Sequence, residues 1–427
     1  MTGTSTSGMG STTPDIHDRF KASVHFHHQE HRPRQQRGSM EFRRFRGPKA
    51  DEFFLLARPG DVGPDVGAQA RSVYEALLDG LCAQDIDPAF LASETLFLGT
   101  GRANLEAVAD SRRRVFGQTD NVACRPATTW IGQAPLDGKG DLAVSAVAVV
   151  PHRRDRWSVD DVTLPASCNC VDCSAGPRAR VARDGDETSF HAGDLRGRGV
   201  DAYQQTLDLF RTADALLAEA GMSFRDVVRT WIYLRDIDRD YDALNRGRRD
   251  FFQAAGVERR PASTGVQGSP SAAAHDVSMS LYAVRSGRSL SITQMSTPTL
   301  NEAWTYGADF SRGLRLVDAN KVALYVSGTA SLDERGESVH LGDFEAQVER
   351  MLLNLTSLLA EQGAGFGDVV SAVTYLKNPS DAPRLHELLQ QGVFGGFPLV
   401  VVEAPLCRPE LLCETEAVAL LALPPGV

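Results

Sequence analysis

The sequence lacks the features that mark membrane, secreted and nucleotide-binding proteins. No run of about 18 apolar residues occurs, so we expect no membrane-spanning helix. The first 39 residues contain no apolar stretch of the kind a secretory signal needs, and their Ser, Thr, Gly, Arg and His content is typical of a disordered arm. The histidines between residues 25 and 31 belong to this arm, where no rigid geometry would hold a metal. Without a Gly-rich phosphate loop or a dinucleotide fingerprint, we expect a protein that uses no cofactor. Without a membrane span or a secretory signal, we expect it to be cytoplasmic.

Positive charge is also scarce. The 45 Lys and Arg residues are outnumbered by 55 Asp and Glu residues, which gives a formal net charge of −10. Nucleic-acid-binding proteins usually carry an excess of basic residues, so we expect no nucleic acid partner. This balance still allows a local basic pocket for an anionic small molecule.

Cysteine is too sparse for a disulfide framework, with seven in 427 residues. Three of them, Cys168, Cys170 and Cys173, nevertheless lie within six residues. One interpretation is a zinc or soft-metal site with His152 or His191 as the fourth ligand. The other is a loop of reduced thiols, and we favour it because no second cysteine pair follows at a zinc-site spacing.

The sequence does contain one pattern three times. Each copy is predicted as an amphipathic helix, a β-rich run, a second helix, a Pro-containing turn and a closing strand. The first helices begin near Gln69, Gln204 and Gln347, and the turn prolines are Pro126, Pro261 and Pro398. A period this long indicates repeated domains rather than a solenoid of short units.

The repeats set the predicted domain boundaries. We expect a disordered arm at residues 1–40, a first unit at 41–151, a cysteine-containing connecting segment plus a second unit at 152–288, and a third unit at 289–427. Helical spacing of apolar residues is clearest from Asp343 to Glu361, and strand patterns are clearest at Val322–Val326. Each unit is therefore predicted to be α+β.

Two segments give the repeats a resemblance to a known family. Asp226–Leu234 and Pro261–Thr264, together with the Gln at the helix start, are similar to segments of the Rid (YjgF) superfamily. The resemblance implies that each unit is a small β-sheet backed by two helices, with ligand sites in the clefts between neighbours. Rid domains usually form trimers, so three in one chain would make an intrachain pseudo-trimer. We then expect a monomer or a weak homo-oligomer.

Two positions depart from the simple Rid enzymes. In those enzymes an Arg two residues after the turn Pro binds the substrate carboxylate, and a Glu on the last strand helps position the attacking water. The Arg position is occupied here by Thr128, Ser263 and Val400. The Glu position is occupied by Ala143, Ser278 and Glu414. The departures weaken an imine-deaminase interpretation and favour one divergent site in the third unit.

The third unit has a more specific resemblance, to chorismatases. The matching segments are Asn301–Gly307, Phe310–Arg312, Val326–Ser331, Ser338–Asp343 and Cys407–Glu416. Tyr241 and Asn245–Arg248 carry a looser resemblance in the second unit. Chorismatases are Rid-like enzymes that remove pyruvate from chorismate and leave a cyclohexadiene diol acid or a hydroxybenzoate. The resemblance implies a hydrolase or lyase of secondary metabolism, such as antibiotic biosynthesis, that cleaves chorismate or a related cyclic acid.

Two glutamates are the candidate catalytic residues. Loss of pyruvate requires a proton on the methylene carbon of the enol ether, and a carboxylic acid with a raised pKa can deliver it. Glu414 and Glu416 are two residues apart on a predicted strand, so their side chains share a face, and their mutual repulsion would raise one of the two pKa values. We predict Glu414 as the proton donor and Glu416 as the second choice. The alternative is a half-exposed strand face with two solvated carboxylates.

The carboxylates of such a substrate need cationic and polar partners, and Arg binds carboxylates better than Lys because its fork is bidentate. The predicted substrate-binding residues are Arg408, Arg312, Arg246, Arg248, Tyr306, Ser327, Thr329 and Ser263. Each has an alternative structural role as a surface charge, a core wall or a turn residue. Two other functions stay open: a hydrolase, deaminase or tautomerase for another enamine or imine acid, and a non-catalytic small-molecule-binding Rid protein.

Overall fold

The computed structural model describes residues 37–99, 104–117, 125–136, 140–164, 178–287, 290–392 and 394–423. The cysteines Cys168, Cys170 and Cys173 and the histidines between residues 25 and 31 lie outside these residues, as does the side chain of Tyr306. The described residues form three six-stranded sheets with six α-helices. This confirms the prediction of an α+β protein built from three tandem units.

The first unit forms a sheet with the strand order β1-β2-β5-β3-β4, and the short β11 of the second unit adds a sixth strand beside β4. Its elements are β1 (Ser39–Arg46), β2 (Ala50–Arg58), α1 (Val66–Ala83), β3 (Leu91–Leu98), α2 (Leu105–Phe116), β4 (Ala127–Gly132) and β5 (Leu142–Pro151).

The second unit has the order β10-β9-β12-β8-β7-β6. Its elements are β6 (Trp157–Thr163), β7 (Arg178–Asp184), β8 (Glu187–Arg196), α3 (Ala202–Glu219), β9 (Val227–Leu234), α4 (Ile237–Ala255), β10 (Ala262–Gln267), β11 (Ser269–Pro270) and β12 (Val277–Ser286). Much of the predicted connecting segment is therefore part of this sheet.

The third unit has the order β13-β14-β15-β18-β16-β17. Its elements are β13 (Ser291–Gln294), β14 (Gly313–Val317), β15 (Val322–Ala330), α5 (Phe344–Ala360), β16 (Val369–Leu376), α6 (Ala382–Gln391), β17 (Leu399–Glu403) and β18 (Cys413–Leu421). In every unit the closing strand lies in the middle of the sheet. Among the described strands of each unit, one pair is parallel, and it consists of the two strands that flank the second helix.

A buried glutamine joins the first helix to the closing strand in every unit. The bonds run from Asp141 N to Gln69 Oε1 (2.9 Å), from Asp276 N to Gln205 Oε1 (2.7 Å) and from Leu412 N to Gln347 Oε1 (2.8 Å). Each backbone donor directly precedes the closing strand. The glutamine therefore satisfies a partly buried backbone N–H at the point where the sheet is completed, which explains its recurrence in the sequence.

The structure corrects one repeat assignment. The buried glutamine is the fourth residue after the helix N-cap, and these caps are Asp65, Asp201 and Asp343. In the second unit that position is Gln205, so the predicted assignment of Gln204 is wrong by one residue. Gln204 is exposed, whereas Gln205 is buried. The spacing from the N-cap Asp201 is the local signal that distinguishes the two adjacent glutamines.

Each unit contacts both of the others. Thr129 Oγ1 lies 2.5 Å from Ser280 Oγ between the first and second units. Ser263 N donates to Ser327 Oγ at 2.9 Å between the second and third, and Lys49 N donates to Asn320 Oδ1 at 2.9 Å between the first and third. A pseudo-trimer requires a contact between every pair of units, and these three bonds provide one for each pair. The threefold symmetry of the arrangement stays a prediction. No helix in the described part of the chain is both long and apolar enough to cross a membrane.

Candidate active site

A cleft of about 460 Å³ opens between the second and third units. The second unit contributes residues of α4 and β10, and the third contributes β15, β18 and neighbouring loops. The cleft brings together six of the predicted site residues: Glu414, Arg408, Arg312, Arg246, Arg248 and Ser263. Residues that are far apart in sequence thus meet where the Rid resemblance places a ligand site, between neighbouring units.

Glu414 lies near the start of β18 and faces the cleft. Its neighbours in the sheet are Ala330 on β15 and Tyr375 on β16, and the glutamate is only 5% exposed. A Cβ atom on Gly328 would lie 1.8 Å from Glu414 Oε1, so the absence of a side chain at residue 328 makes room for the carboxyl group. The strand irregularity between Val326 and Thr329 therefore accommodates the acid.

The surroundings of Glu414 favour its protonated form. Burial, the largest effect, and the nearby Glu416 carboxylate raise the pKa of Glu414 to about 8, against the opposing charges of Arg312 and Arg229. At neutral pH most Glu414 carboxyl groups then hold a proton. A buried carboxylic acid that opens into a cleft is suited to general acid chemistry.

Glu416 has different partners. Arg229 Nη2 donates to Glu416 Oε2 at 2.7 Å, and Trp231 Nε1 donates to Glu416 Oε1 at 2.6 Å. Both carboxylate oxygens thus accept bonds from the second unit. Glu416 lines a separate cavity at the centre of the molecule instead of the cleft. Its geometry is that of a paired carboxylate, which does not fit the predicted role of second-choice proton donor.

Two buried arginines flank one aromatic ring in the cleft wall. The guanidinium carbons of Arg248 and Arg312 lie 5.7 and 5.8 Å from the centre of the Phe310 ring. Arg312 Nε donates to Asn301 O at 2.8 Å, and Arg248 Nη2 donates to Asn245 Oδ1 at 2.6 Å. Because Arg248 belongs to the second unit and Arg312 to the third, each unit contributes one guanidinium to the same wall.

The other two predicted arginines lie farther out. Arg408 Nη1 donates to Gly336 O at 2.7 Å and to Ser338 Oγ at 3.2 Å, which fixes the half-buried side chain. Arg246 is exposed at the rim, with its guanidinium 6.0 Å from the centre of the Tyr203 ring. With Arg249, the described cleft lining has five arginines and two carboxyl groups, so it is a local basic pocket in an acidic protein.

The predicted hydroxyl residues differ in their positions. Ser263 lines the cleft. Ser327 and Thr329 are almost fully buried and do not line it. Ser327 Oγ donates to Ser311 O at 2.6 Å and accepts from Ser263 N, and Thr329 Oγ1 donates to Ser327 O at 2.9 Å. These two hydroxyls join the backbones behind the cleft wall, so their predicted contact with a ligand does not fit their positions.

The lining residues that were not predicted as site residues include Tyr241, Phe310 and Cys407. The Tyr241 hydroxyl and the Cys407 thiol are hydrogen-bonded, and burial, with the Glu414 charge, raises the pKa of Cys407 to about 12. The thiol is therefore uncharged. All three residues lie in sequence segments that carry the chorismatase resemblance, which is the signal that could have identified them.

The equivalent clefts lack the acid. Tyr375 is paired with Glu414 in the third sheet, and the corresponding pairs are Tyr233 with Ser278 and Phe97 with Ala143. The sheet register thus confirms the predicted correspondence of Ala143, Ser278 and Glu414. Among the three units, only the third has a glutamate at this position.

No group of His, Cys, Asp and Glu residues in the described ranges has the arrangement of a metal site. Of the two histidines considered as zinc ligands, His152 contacts Asp51 and His191 lines the central cavity. The three clustered cysteines lie outside the described residues.

Comparison with known proteins agrees with this architecture. The sequence profile of the endoribonuclease L-PSP family matches residues 187–284 and 307–421. The 3-hydroxybenzoate synthase of Streptomyces hygroscopicus is 30% identical over 267 residues, which are 56% of this chain and 75% of the relative. The 3-aminoacrylate deaminase RutC of Acinetobacter baylyi is 30% identical over 97 residues, which are 22% of this chain and 77% of the relative.

A solved chorismatase structure matches 78% of this chain and 93% of its own, with a TM-score of 0.56 and 16% identity, which supports the fold alone. The profile matches cover the second and third units, which form the cleft. The chain therefore belongs to the endoribonuclease L-PSP family, also called the Rid or YjgF superfamily.

Proposed function

We propose that the protein is a chorismatase-like enzyme that cleaves the enolpyruvyl ether of chorismate or a closely related cyclic acid and releases pyruvate. The observation that carries the proposal is the position of Glu414, a buried carboxylic acid that faces a cleft lined by five arginines. The 3-hydroxybenzoate synthase relative, whose aligned segment covers 75% of its length, supports the choice of substrate.

The chemistry begins with proton transfer from Glu414 to the methylene carbon of the enol ether. The carbon that bears the ether oxygen becomes an oxocarbenium ion, and Glu414 becomes a carboxylate. Water or a neighbouring substrate hydroxyl attacks this ion and gives a proton to the Glu414 carboxylate, which restores the acid. When water attacks, the proton of the new hemiketal hydroxyl passes to the ether oxygen as the bond between that oxygen and the hemiketal carbon breaks. Pyruvate leaves, and the oxygen stays on the ring as a hydroxyl group.

The cleft is suited to holding a dicarboxylate during this step. Arg312 and Arg248 are held by Asn301 O and Asn245 Oδ1, and guanidinium groups fixed in this way suit the binding of carboxylate oxygens. Arg408 is fixed by Gly336 O, and Arg246 supplies charge at the rim. Fixed guanidinium groups orient the substrate before the proton moves, which lowers the entropic cost of reaching the transition state.

A second candidate is an enamine or imine acid hydrolase, favoured by the aligned 3-aminoacrylate deaminase. That chemistry also uses an acid on the closing strand in the Rid resemblance. However, none of the three units carries the Arg that simple Rid enzymes place after the turn Pro, and the number of arginines in the cleft suits a substrate with more than one carboxylate.

One experiment tests the proposal. Purified protein is incubated with chorismate, pyruvate is quantified with lactate dehydrogenase and NADH, and the ring product is identified by NMR. We expect one pyruvate per chorismate consumed. Release of ammonia from 3-aminoacrylate, with no pyruvate from chorismate, would favour the second candidate instead.

A further inference from the structure

A second cavity of about 210 Å³ lies at the centre of the molecule, where the sheets of all three units meet. Phe54 and Thr95 line it from the first unit, His191 and Tyr282 from the second, and Tyr325 and Ser371 from the third. Its described lining has no residue in common with the cleft. The proposed chemistry does not use this space.

The cavity exists because equivalent strand positions carry side chains of very different size. Leu98, Leu234 and Leu376 are equivalent, since each is paired with the first residue of its closing strand. From that register, Arg229 on β9 corresponds to Ser93 and Ser371, and Glu416 on β18 corresponds to Ser145 and Ser280. All six line the cavity. The large Arg–Glu pair fills one side, and serines leave the opposite side open.

The charges that line the cavity are already matched. Arg229 is paired with Glu416 at 2.7 Å, and Lys49 is paired with Glu187 at 2.9 Å. Lys321 forms ion pairs with Glu52 and Asp318, and Asp184 Oδ1 lies 3.8 Å from Arg156 Nε. A charged molecule would lose its hydration without gaining a free counter-ion, which is costly in a buried site. The cavity therefore favours an uncharged occupant.

The wall presents aromatic faces and unused hydrogen-bond donors. The rings of His191 and Tyr282 are 4.6 Å apart, and those of Tyr282 and Tyr325 are 5.6 Å apart, within the range of aromatic contacts. Burial lowers the pKa of His191 to about 3, so its ring is neutral. Trp157 Nε1 and Arg229 Nη1 have no hydrogen-bond partner among the described residues.

We propose that the central cavity binds a small uncharged aromatic molecule that carries a hydroxyl or carbonyl oxygen. The ring packs against the row formed by His191, Tyr282 and Tyr325, and the oxygen bonds to donors of the lining. The size fits, since an engineered apolar cavity of about 150 Å³ holds benzene. The partly exposed Lys49–Glu187 pair marks the end of the cavity from which a ligand enters.

Phenol and benzoate are suitable probes because they share the ring but differ in charge at neutral pH. We expect phenol to bind the wild-type protein saturably at one site in isothermal titration calorimetry. Ser371→Leu fills the open side and should abolish that binding. Ser380→Leu, at an exposed position outside the cavity, should retain it. Benzoate should fail to displace phenol.

Melting curves establish that each variant is folded. If Ser371→Leu does not fold, Val373→Phe fills the same space from the same strand and carries the test. Absence of saturable phenol binding, unchanged binding by the folded filling variant, or displacement of phenol by benzoate would each overturn the proposal. None of these outcomes depends on whether chorismate is the substrate, because pyruvate release is not measured.

Discussion

Glu414 and Glu416 lie two residues apart on one strand, yet they line different cavities. Glu414 faces the cleft between the second and third units, and Glu416 faces the central cavity, where Arg229 and Trp231 hold both of its oxygens. The pair therefore divides into a neutral acid and a fixed carboxylate. Burial and the charge of Glu416 raise the pKa of Glu414, which keeps the acid protonated in a pocket otherwise rich in arginine.

The first prediction concerns pH. If Glu414 must be protonated for turnover, kcat/KM for pyruvate release should fall as pH rises through about 8, where the pKa of Glu414 in the unliganded protein lies. Loss of a single required proton gives a decline of about tenfold per pH unit beyond that point. Steady-state rates between about pH 6 and pH 10 would show it. A rate that climbs through this range would contradict Glu414 as the acid.

The second prediction concerns substrate binding. Arg408→Lys keeps a positive charge but loses the bidentate fork, so KM should rise while kcat changes little. A charge-assisted hydrogen bond contributes about 1.5–3 kcal/mol, which corresponds to a rise in KM of roughly ten- to a hundredfold. Arg384→Lys is the matched control, because Arg384 is bound to Glu345 and Glu387 away from the cleft. An unchanged KM in Arg408→Lys would remove this residue from the site.

The third prediction concerns the buried ion pair. Arg229→Met leaves the Glu416 carboxylate without its cation, and breaking a buried pair in this way typically costs about 3–5 kcal/mol in the free energy of unfolding. Adding Glu416→Gln removes the stranded charge, so the double variant should recover most of the loss. Urea titrations of the wild type, the single variant and the double variant provide the comparison. Equal stability of all three would show that the pair contributes little.

The fourth prediction concerns the cysteines. Cys168, Cys170 and Cys173 are expected to be mostly reduced and unnecessary for the proposed reaction. Elemental analysis of protein purified without a His tag should find no stoichiometric metal after dialysis, and the triple Ser variant should release pyruvate at the wild-type rate. Zinc, iron or copper at one equivalent would instead establish a metal site.

Much of the fold could be read from local sequence patterns. The runs that end in Tyr-Leu at Leu234 and Leu376 became β9 and β16, because alternating and continuous apolar residues specify buried strands. Helix starts at Asp201 and Asp343 were marked by N-cap residues. The position of Glu414 followed from the repeat alignment, since all three closing strands share one register.

Features that depend on distant partners could not be read in this way. Arg229, the ion-pair partner of Glu416, is 187 residues away in sequence and belongs to another unit. The direction of the Ser327 hydroxyl depends on Ser311 O of its own unit and on Ser263 N of the second unit, which meets it only when the units pack. Pattern and spacing fix which strand face a residue occupies. Which cavity or backbone it meets is decided by the packing of three sheets.

The central claim is that Glu414 supplies the proton that releases pyruvate from chorismate. The most direct test compares the wild type with Glu414→Gln, which keeps the shape of the side chain but has no acidic proton. Glu403→Gln, at an exposed position on β17, is the control. We predict that the wild type and the control release pyruvate, and that Glu414→Gln is slower by about 10²–10⁴-fold although it is folded. Near wild-type release by Glu414→Gln would contradict the assignment of the acid, and no release by the wild type would contradict the substrate.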